Sequence, residues 1–367
     1  MPTVESPSPA RPKRASQLRI VDCDVHNALP SKSVIKPHLP TRLHAAYDAH
    51  PSTSMYGVNI GSRWHTGIFR DDSFPPEGGP PGSSLALMRE QLLDKFDIAR
   101  AILSPLENLG WVQYGELGAA LASAMNDHVR AEWLDQDDRL YSAITVATED
   151  GEAAAREVRR IAALDRRFVQ VLMLIGSRDP LGHPKYWPIY DAAVECGLPV
   201  AAHVGGYPGT SSPVGSVSYQ VARHTVWPTA YQAQVISLLA SGVFERLPEL
   251  QFVLEEGGFT WVPSLMWRLD RMAPSFREQL PHLEGRPSDV IREHFSFTTQ
   301  PIDEPEKAEY MTQTIEQTGM ADRIMFATDY PHWDFDPPTK MLRSEVSAEV
   351  REKIFAGNAE RLYPWPS

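Results

Sequence analysis

The sequence predicts an α/β fold, a closed (β/α)₈ TIM barrel with a long insertion after its first strand. Eight short runs rich in apolar residues alternate with segments of helical pattern. Most of these runs are continuously apolar, which is typical of parallel strands buried on both faces. Their alternation with helices implies parallel connections. No GxGxxG or GKT motif follows a strand, which disfavours a doubly wound nucleotide-binding sheet.

The eight strands are predicted where a β-rich run lies between turn or helical residues. In chain order they cover residues 19–26, 100–104, 140–146, 169–175, 199–204, 251–256, 294–299 and 323–328. Eight is the strand number of the closed α/β barrel. The chain has 367 residues, a length that barrels with insertions reach as one domain. Residues 18–367 are therefore predicted to form a single domain.

Helical segments separate the strands, and further segments flank them. The clearest helices are predicted at residues 114–134, 151–164, 185–196, 230–239, 305–318 and 347–355. Residues 1–17, rich in Pro, Ser and Arg, are predicted to form a flexible leader. The segment from about 27 to 89 carries many Gly and Pro residues. Because it follows the first barrel strand, it is predicted to be a lid or binding loop.

Composition narrows the class of protein. The net charge of −12 argues against a nucleic-acid partner, which would need a basic surface. No run of eighteen apolar residues is present, so no membrane span is predicted. The N-terminus lacks the apolar core of a secretory signal, so a cytoplasmic location is expected. Two cysteines without CxxC spacing argue against a disulfide scaffold or a zinc ribbon.

Four predicted strands end in side chains that can bind a metal ion. The first strand ends with Asp24 and His26, which lie two residues apart and therefore share a face. The fifth, sixth and eighth strands end near His203, Glu256 and Asp329. Each residue alone has an ordinary structural explanation, but strand ends converge on one mouth of a barrel. Two imidazoles and two carboxylates from these strand ends can together bind a divalent ion, Zn²⁺ first and Mn²⁺ as the alternative.

Four further residues are candidates for substrate binding. Arg223 and His224, expected in the loop after the fifth strand, could bind a substrate carboxylate, although a solvated basic pair is the simpler explanation. Trp64 in the insertion and Trp333 beside the last strand could form an aromatic wall, or could serve only in packing. The predicted partner is a small molecule.

Seven motifs follow one another along the chain between residues 19 and 363. They are VDCDVH (21–26), AHVG (202–205), SGVFERLP (241–248), FVLEEGGFTW (252–261), RLD (268–270), FATDYPH (326–332) and GNAERLY (357–363). This ordered set resembles the amidohydrolase superfamily, in the branch typified by aminocarboxymuconate-semialdehyde decarboxylase and related aromatic-acid decarboxylases and hydrolases. The resemblance implies a one-metal enzyme and, by analogy, a homo-oligomer.

The resemblance also implies roles for individual residues. Asp24, His26 and His203 match metal ligands, and Asp329 matches an aspartate that binds the metal and can accept a proton from metal-bound water. Decarboxylases of the branch often carry a histidine that transfers protons where this chain has Glu256. Here Glu256 or His332, which follows Asp329 at i+3, would donate a proton to the leaving group.

The glutamate at residue 256, where related decarboxylases often carry a histidine, decides which function is predicted first. It favours a metal-dependent hydrolase that acts on a small aromatic or carbonyl-bearing substrate through metal-activated water. The alternative is a metal-dependent, non-oxidative decarboxylase (carboxy-lyase) of an aromatic or enolic acid. The third hypothesis is a catalytically inactive binding barrel, against which the intact metal-ligand set argues.

Overall fold

Eight parallel strands form one sheet in strict sequence order. The structure is a computed structural model that describes residues 18–49, 68–106, 115–206, 219–342 and 346–366. Each strand pairs in parallel with the next one along the chain. The strands are β1 (Val21–Val25), β2 (Arg100–Leu103), β3 (Leu140–Thr145), β4 (Phe168–Gly176), β5 (Val200–Gly206), β6 (Phe252–Leu254), β7 (Phe295–Thr298) and β8 (Ile324–Met325). All eight lie within or across the predicted runs, so the predicted fold class is confirmed.

The last strand meets the first and closes the barrel. Cys23 N donates to Phe326 O at 2.9 Å, and Asp329 N donates to Asp24 O at 3.0 Å. Further along, His26 N donates to Tyr330 O at 2.7 Å. These bonds tie the two ends of the polypeptide together at the carboxyl ends of the strands, and they bring residues from β1 next to residues that follow β8.

Helices surround the barrel, and their bounds largely follow the prediction. They are α1 (His44–Ala49), α2 (Leu85–Met88), α3 (Gly115–Val129), α4 (Gly151–Leu164), α5 (Trp187–Glu195), α6 (Gln220–Ser241), α7 (Val243–Arg246), α8 (Val262–Met272), α9 (Pro287–His294), α10 (Ala308–Thr318), α11 (Ala348–Glu352) and α12 (Asn358–Leu362). A π-helical turn, Arg130–Leu134, continues α3 to the predicted end. No helix among the described residues is long and apolar enough to cross a bilayer.

Helix α6 differs from the prediction at its start. It begins at Gln220 rather than at residue 230, and it runs through Pro228. The predicted start lies just after Pro228, a residue type that removes one helical hydrogen bond and usually ends or kinks a helix. Arg223 and His224 consequently lie in the first turns of α6, and their predicted placement in a loop is wrong.

The described part of the insertion packs against the barrel's helical layer. Ile35, Leu43 and Tyr47 are buried together with Leu117 and Leu121 of α3. This apolar contact anchors residues 29–47 beside the start of α3. Residues 50–67 and the leader 1–17 lie outside the described residues, so the lid stays a prediction.

Candidate metal centre

The four predicted metal ligands meet at the carboxyl ends of the strands. Asp24 and His26 come from β1 and its end, His203 from β5, and Asp329 from the turn after β8. One ligand atom from each of the four lies within 4.8 Å of all the others. All four side chains are buried. The polypeptide therefore places two imidazoles and two carboxylates around one point.

The two imidazoles turn the same ring nitrogen toward this point. His26 Nδ1 lies 2.7 Å from Ser104 O, and His203 Nδ1 lies 2.6 Å from Val204 O. A carbonyl oxygen only accepts, so each Nδ1 must carry the hydrogen. In the neutral ring the Nε2 atom then has a lone pair directed into the cluster, which is the form in which histidine binds a metal.

The carboxylates face these Nε2 atoms at short distances. Asp329 Oδ1 lies 2.7 Å from His26 Nε2, and Asp24 Oδ2 lies 3.3 Å from His203 Nε2. Both Asp24 oxygens and His203 Nε2 are buried and have no hydrogen-bond partner among the described residues. Lone pairs facing lone pairs in a buried site are unfavourable unless a proton or a cation lies between them. The donor set therefore fits a divalent cation.

Without such a cation, protons take its place. Burial lowers the pKa of the His26 and His203 imidazoles, but Asp24 and the second carboxyl group beside each ring, Asp329 or Glu256, together raise it more, and the net pKa of each is about 9. At neutral pH both rings are therefore protonated in the metal-free protein. Because a metal binds only the neutral ring, ion binding must displace these protons.

Two carboxylates sit on unusual backbone at the strand ends. Glu256 has φ of 56° and Asp329 has φ of 58°, in the left-handed region that residues other than glycine rarely adopt. The Glu256 N–H donates to Thr298 Oγ1 at 3.2 Å, and the Asp329 N–H donates to Asp24 O. Such strain persists where the surroundings hold it, and it clusters at functional sites.

The same two carboxyl groups differ in their affinity for protons. Burial, with a smaller contribution from Asp329, raises the pKa of Glu256 well above its ordinary value. Burial also raises the pKa of Asp329, but His332 and His26 lower it more, and its net pKa lies below the ordinary value. Glu256 Oε2 lies 3.2 Å from His203 Nε2. The proton affinities of the two carboxyl groups are thus shifted in opposite directions, a combination suited to acid–base chemistry.

Asp329 is held from both of its oxygens. Its Oδ1 accepts from His332 Nδ1 at 2.6 Å, in addition to facing His26. Its Oδ2 accepts from Gln300 Nε2 at 2.9 Å. The His332 ring is buried and stacks on Phe69, with ring centres 5.1 Å apart. His332 therefore contacts a predicted ligand directly, as its spacing from Asp329 indicated.

The candidate substrate residues are partly described. His224 Nε2 lies 2.9 Å from Asp334 Oδ2, and its ring meets Trp333 edge-on at 5.7 Å. Trp333 is 51% exposed. The structure thus brings His224 and Trp333 together beside the metal centre. Trp64 and the side chain of Arg223 lie outside the described residues.

The sequence prediction missed two side chains of this site. Gln300 bonds to Asp329 Oδ2, and Asp334 joins Gln300 to His224. Gln300 directly follows the predicted seventh strand, so the strand-end rule that found the other residues also applies to it. A neutral amide is a less usual ligand for a transition metal than a carboxylate or an imidazole, so a search for metal ligands does not select Gln300.

A family comparison agrees with this geometry. The family model described as amidohydrolase matches residues 21–365, nearly the whole chain. The chain belongs to the amidohydrolase family. The predicted family and the prediction of an enzyme of hydrolase or carboxy-lyase type are thereby confirmed.

Individual relatives of this amidohydrolase are similar over most of their length. It is 27% identical over 265 residues to gamma-resorcylate decarboxylase from Rhizobium radiobacter, which covers 66% of this chain and 76% of the relative. Its fold is similar to that of 5-carboxyvanillate decarboxylase from Sphingomonas paucimobilis, with a TM-score of 0.68, 21% identity, and coverage of 95% and 99% of the two chains. A dihydroxybenzoic acid decarboxylase from Polaromonas sp. JS666, solved with bound manganese and 2-nitroresorcinol, has a TM-score of 0.66, 19% identity, and coverage of 94% and 97%.

These relatives bear on the two functional predictions unequally. All three are described as decarboxylases, and none of them as a hydrolase. They therefore support the decarboxylase alternative better than the hydrolase that Glu256 first favoured. A glutamate in place of a proton-transferring histidine is a weaker argument for hydrolysis once its raised pKa is known, because a carboxyl group that keeps its proton can serve as the acid.

Proposed function

We propose that this amidohydrolase is a metal-dependent, non-oxidative decarboxylase of a hydroxylated aromatic acid. The observation that carries the proposal is the pairing of the metal-ligand cluster with the buried carboxyl group of Glu256, which lies 3.2 Å from His203 Nε2 and whose pKa is raised by burial. The decarboxylase relatives support it independently. The reaction replaces a ring carboxylate by a hydrogen, and it needs an anion-binding centre and an acid.

Asp24, His26, His203 and Asp329 would hold the ion in this proposal. A bound divalent ion supplies positive charge that binds and orients a substrate carboxylate and a neighbouring hydroxyl oxygen. Oxygen and imidazole ligands suit Zn²⁺ or Mn²⁺. The related Polaromonas enzyme was solved with bound manganese, which is one of the two ions proposed for this site. The low pKa of Asp329 suits a permanently ionised ligand better than a proton acceptor.

Glu256 is the proton donor in this proposal. Its carboxyl group gives a proton to the ring carbon that carries the carboxylate, and a new C–H bond forms. The C–C bond to the carboxylate then breaks, its electron pair returns to the ring, and CO₂ leaves. The Glu256 carboxylate recovers a proton from solvent, so the net reaction consumes one proton per CO₂. His332, which donates to Asp329, keeps that ligand ionised and in place.

The remaining assignments are parts of the same proposal. His224 and Trp333 lie beside the centre and would bind the substrate's anionic group and its ring. Residues 18–367 would act as one catalytic domain, with the insertion closing over the mouth, and the chain would assemble as a homo-oligomer.

The proposal is tested by following carbon and hydrogen together. Protein loaded with Mn²⁺ is incubated in D₂O with a panel of hydroxybenzoic acids, and CO₂ release and ring deuteration are measured. We expect one deuterium at the vacated ring carbon for each CO₂ released. The matched variant Glu256→Gln should retain metal and lose at least about 100-fold in turnover, the size expected for a lost general acid.

A hydrolase would behave differently in the same assay. It would release no CO₂ from any acid of the panel, and with an amide or ester substrate it would place ¹⁸O from water in the product. These two results together would overturn the proposal. Glu256→Gln with unaltered turnover would leave the decarboxylase in place but remove Glu256 as its acid.

A further inference from the structure

Gln300 is a buried amide whose donors are used on carboxylates. Its Nε2 donates to Asp329 Oδ2 at 2.9 Å and to Asp334 Oδ2 at 3.0 Å. A primary amide has two N–H groups, so both are directed at anionic acceptors. Its Oε1 is buried, and no hydrogen-bond partner for it lies in the described part of the chain. An acceptor left in this state beside the metal centre is available to a donor on a bound molecule.

The hydrogen bonds continue from Gln300 toward the solvent. Asp334 Oδ2 also lies 2.9 Å from His224 Nε2 in α6. Gln300 is fully buried, while the side chains of Asp334 and His224 are 14% and 23% exposed. The four side chains Asp329, Gln300, Asp334 and His224 therefore form a continuous path from the metal centre to the mouth of the barrel.

We propose that Gln300 is a positioning residue of the metal centre, which orients Asp329 toward the ion and couples it through Asp334 to His224 at the mouth. This inference rests on the proposed function. With Oδ2 held by the amide, Asp329 presents Oδ1 to His26 and to the ion. Hydrogen bonds to metal ligands of this kind typically change metal affinity by about 10- to 100-fold.

The backbone on both sides of Gln300 is itself held in place. Thr299 N donates to Met325 O at 2.9 Å before it, and Ile302 N donates to Asp336 Oδ2 at 3.0 Å after it. Asp336 N donates in turn to Thr328 O at 3.0 Å, next to Asp329. The segments that carry Gln300 and Asp329 are thus fixed to each other by hydrogen bonds, so the Gln300 amide needs no rearrangement to bond to Asp329.

A second buried glutamine shows what a purely structural amide looks like here. Gln234 in α6 accepts from Leu181 N at 2.8 Å and donates to Ile175 O at 2.7 Å. Ile175 belongs to β4 and Leu181 follows that strand, and Gln234 Nε2 also donates to Ser177 Oγ at 3.3 Å, so all of these partners are uncharged. The described partners of Gln300 are two ionisable side chains instead. Replacing either glutamine by Met keeps the length and removes the amide, so Gln234→Met is the matched control for Gln300→Met.

The test measures Mn²⁺ affinity of the full chain by electron paramagnetic resonance, alongside the Tm of the metal-free proteins. We expect both Met variants to have a lower Tm, and Gln300→Met alone to bind Mn²⁺ about 10- to 100-fold more weakly. Gln300→Glu, which keeps the shape and replaces the donor by an acceptor, should weaken binding in the same direction. Asp334→Asn retains an acceptor for Gln300 and removes the charge beside His224, so it should raise KM and leave Mn²⁺ affinity within about threefold.

The outcomes separate this inference from the proposed function. Wild-type Mn²⁺ affinity in Gln300→Met and Gln300→Glu would overturn the positioning role and leave the decarboxylase standing. Equal losses in Gln300→Met and Gln234→Met, in step with their Tm, would also overturn it, because a structural role would then suffice. If the wild-type protein binds no Mn²⁺ or Zn²⁺, the proposed function itself fails.

Discussion

Metal binding to this site should release protons, and the number follows from the structure. His26 and His203 each have a pKa of about 9 in the metal-free protein, because Asp24 together with Asp329 at His26 and with Glu256 at His203 outweighs the lowering effect of burial. At pH 7 a group with this pKa is neutral in only about 1% of molecules. Both rings must be neutral to bind an ion, so about two protons leave for each ion bound at pH 7.

The same arithmetic predicts a steep pH dependence of affinity. Below pH 9, each of the two required deprotonations changes the apparent Kd for the ion by about tenfold per pH unit. Together they change it by about 100-fold per pH unit, which corresponds to about 2.7 kcal/mol. Affinity therefore falls as pH falls, and it levels off above pH 9. Asp24→Asn removes the largest upward influence on both rings, so this variant should release about one proton or fewer and bind the ion more weakly.

Calorimetry gives the count directly. Mn²⁺ is titrated into metal-free protein at pH 7 in buffers of different ionisation enthalpy, and the slope of the measured enthalpy gives the protons released. A value near two in the wild type, falling in Asp24→Asn, is the expected result. A value near zero together with a Kd that does not change between pH 7 and 8 would refute the reasoning, because the imidazoles would then be neutral or would not bind the ion.

Three further outcomes are expected. His203→Ala should reduce bound metal, measured by plasma mass spectrometry, by at least about tenfold; full occupancy would remove His203 from the ligands. Asp329→Asn should keep the fold by circular dichroism and lower turnover by about 10³-fold or more, and near-normal turnover would contradict its role. Burial raises the pKa of Asp336 to about 7, so the folded state loses stability as pH rises from about 4 to 7. In Asp336→Asn the side chain can still accept the hydrogen bond from Ile302 N, but it does not titrate. The difference in Tm between this variant and the wild type should therefore shift in favour of the variant as pH rises from about 4 to 8. A difference in Tm that stays constant with pH would contradict the assignment.

The barrel could be predicted because its strands are continuously apolar and its helices are regularly spaced. Strand ends were less exact: the sixth strand was predicted to reach residue 256, whereas β6 ends at Leu254. Glu255 and Glu256 follow it as buried acids, and no periodicity separates a strand from the turn that carries a buried charge. Helix α6 was predicted to begin ten residues too late, because local residue patterns cannot register the tertiary packing that overrides them around Pro228.

The metal cluster could be predicted from two simple rules. Residues two apart in a strand share a face, and the carboxyl ends of barrel strands converge. Gln300 also follows a predicted strand, but the roles of Gln300 and Asp334 come from contacts with Asp329 and His224 that only the folded chain creates. The pKa of Glu256 was equally hidden, since it depends on burial, and it changes the functional conclusion that the residue type alone favoured.

The central claim is that side chains from β1, β5 and the turn after β8 bind one cation together. Anomalous diffraction from crystals grown with Mn²⁺ tests it directly. The account predicts a single peak at about 2.0–2.3 Å from a carboxylate oxygen of Asp24 and of Asp329 and from the Nε2 atoms of His26 and His203. A crystal of active protein with no peak among these four side chains, or with its ion bound elsewhere, would contradict it.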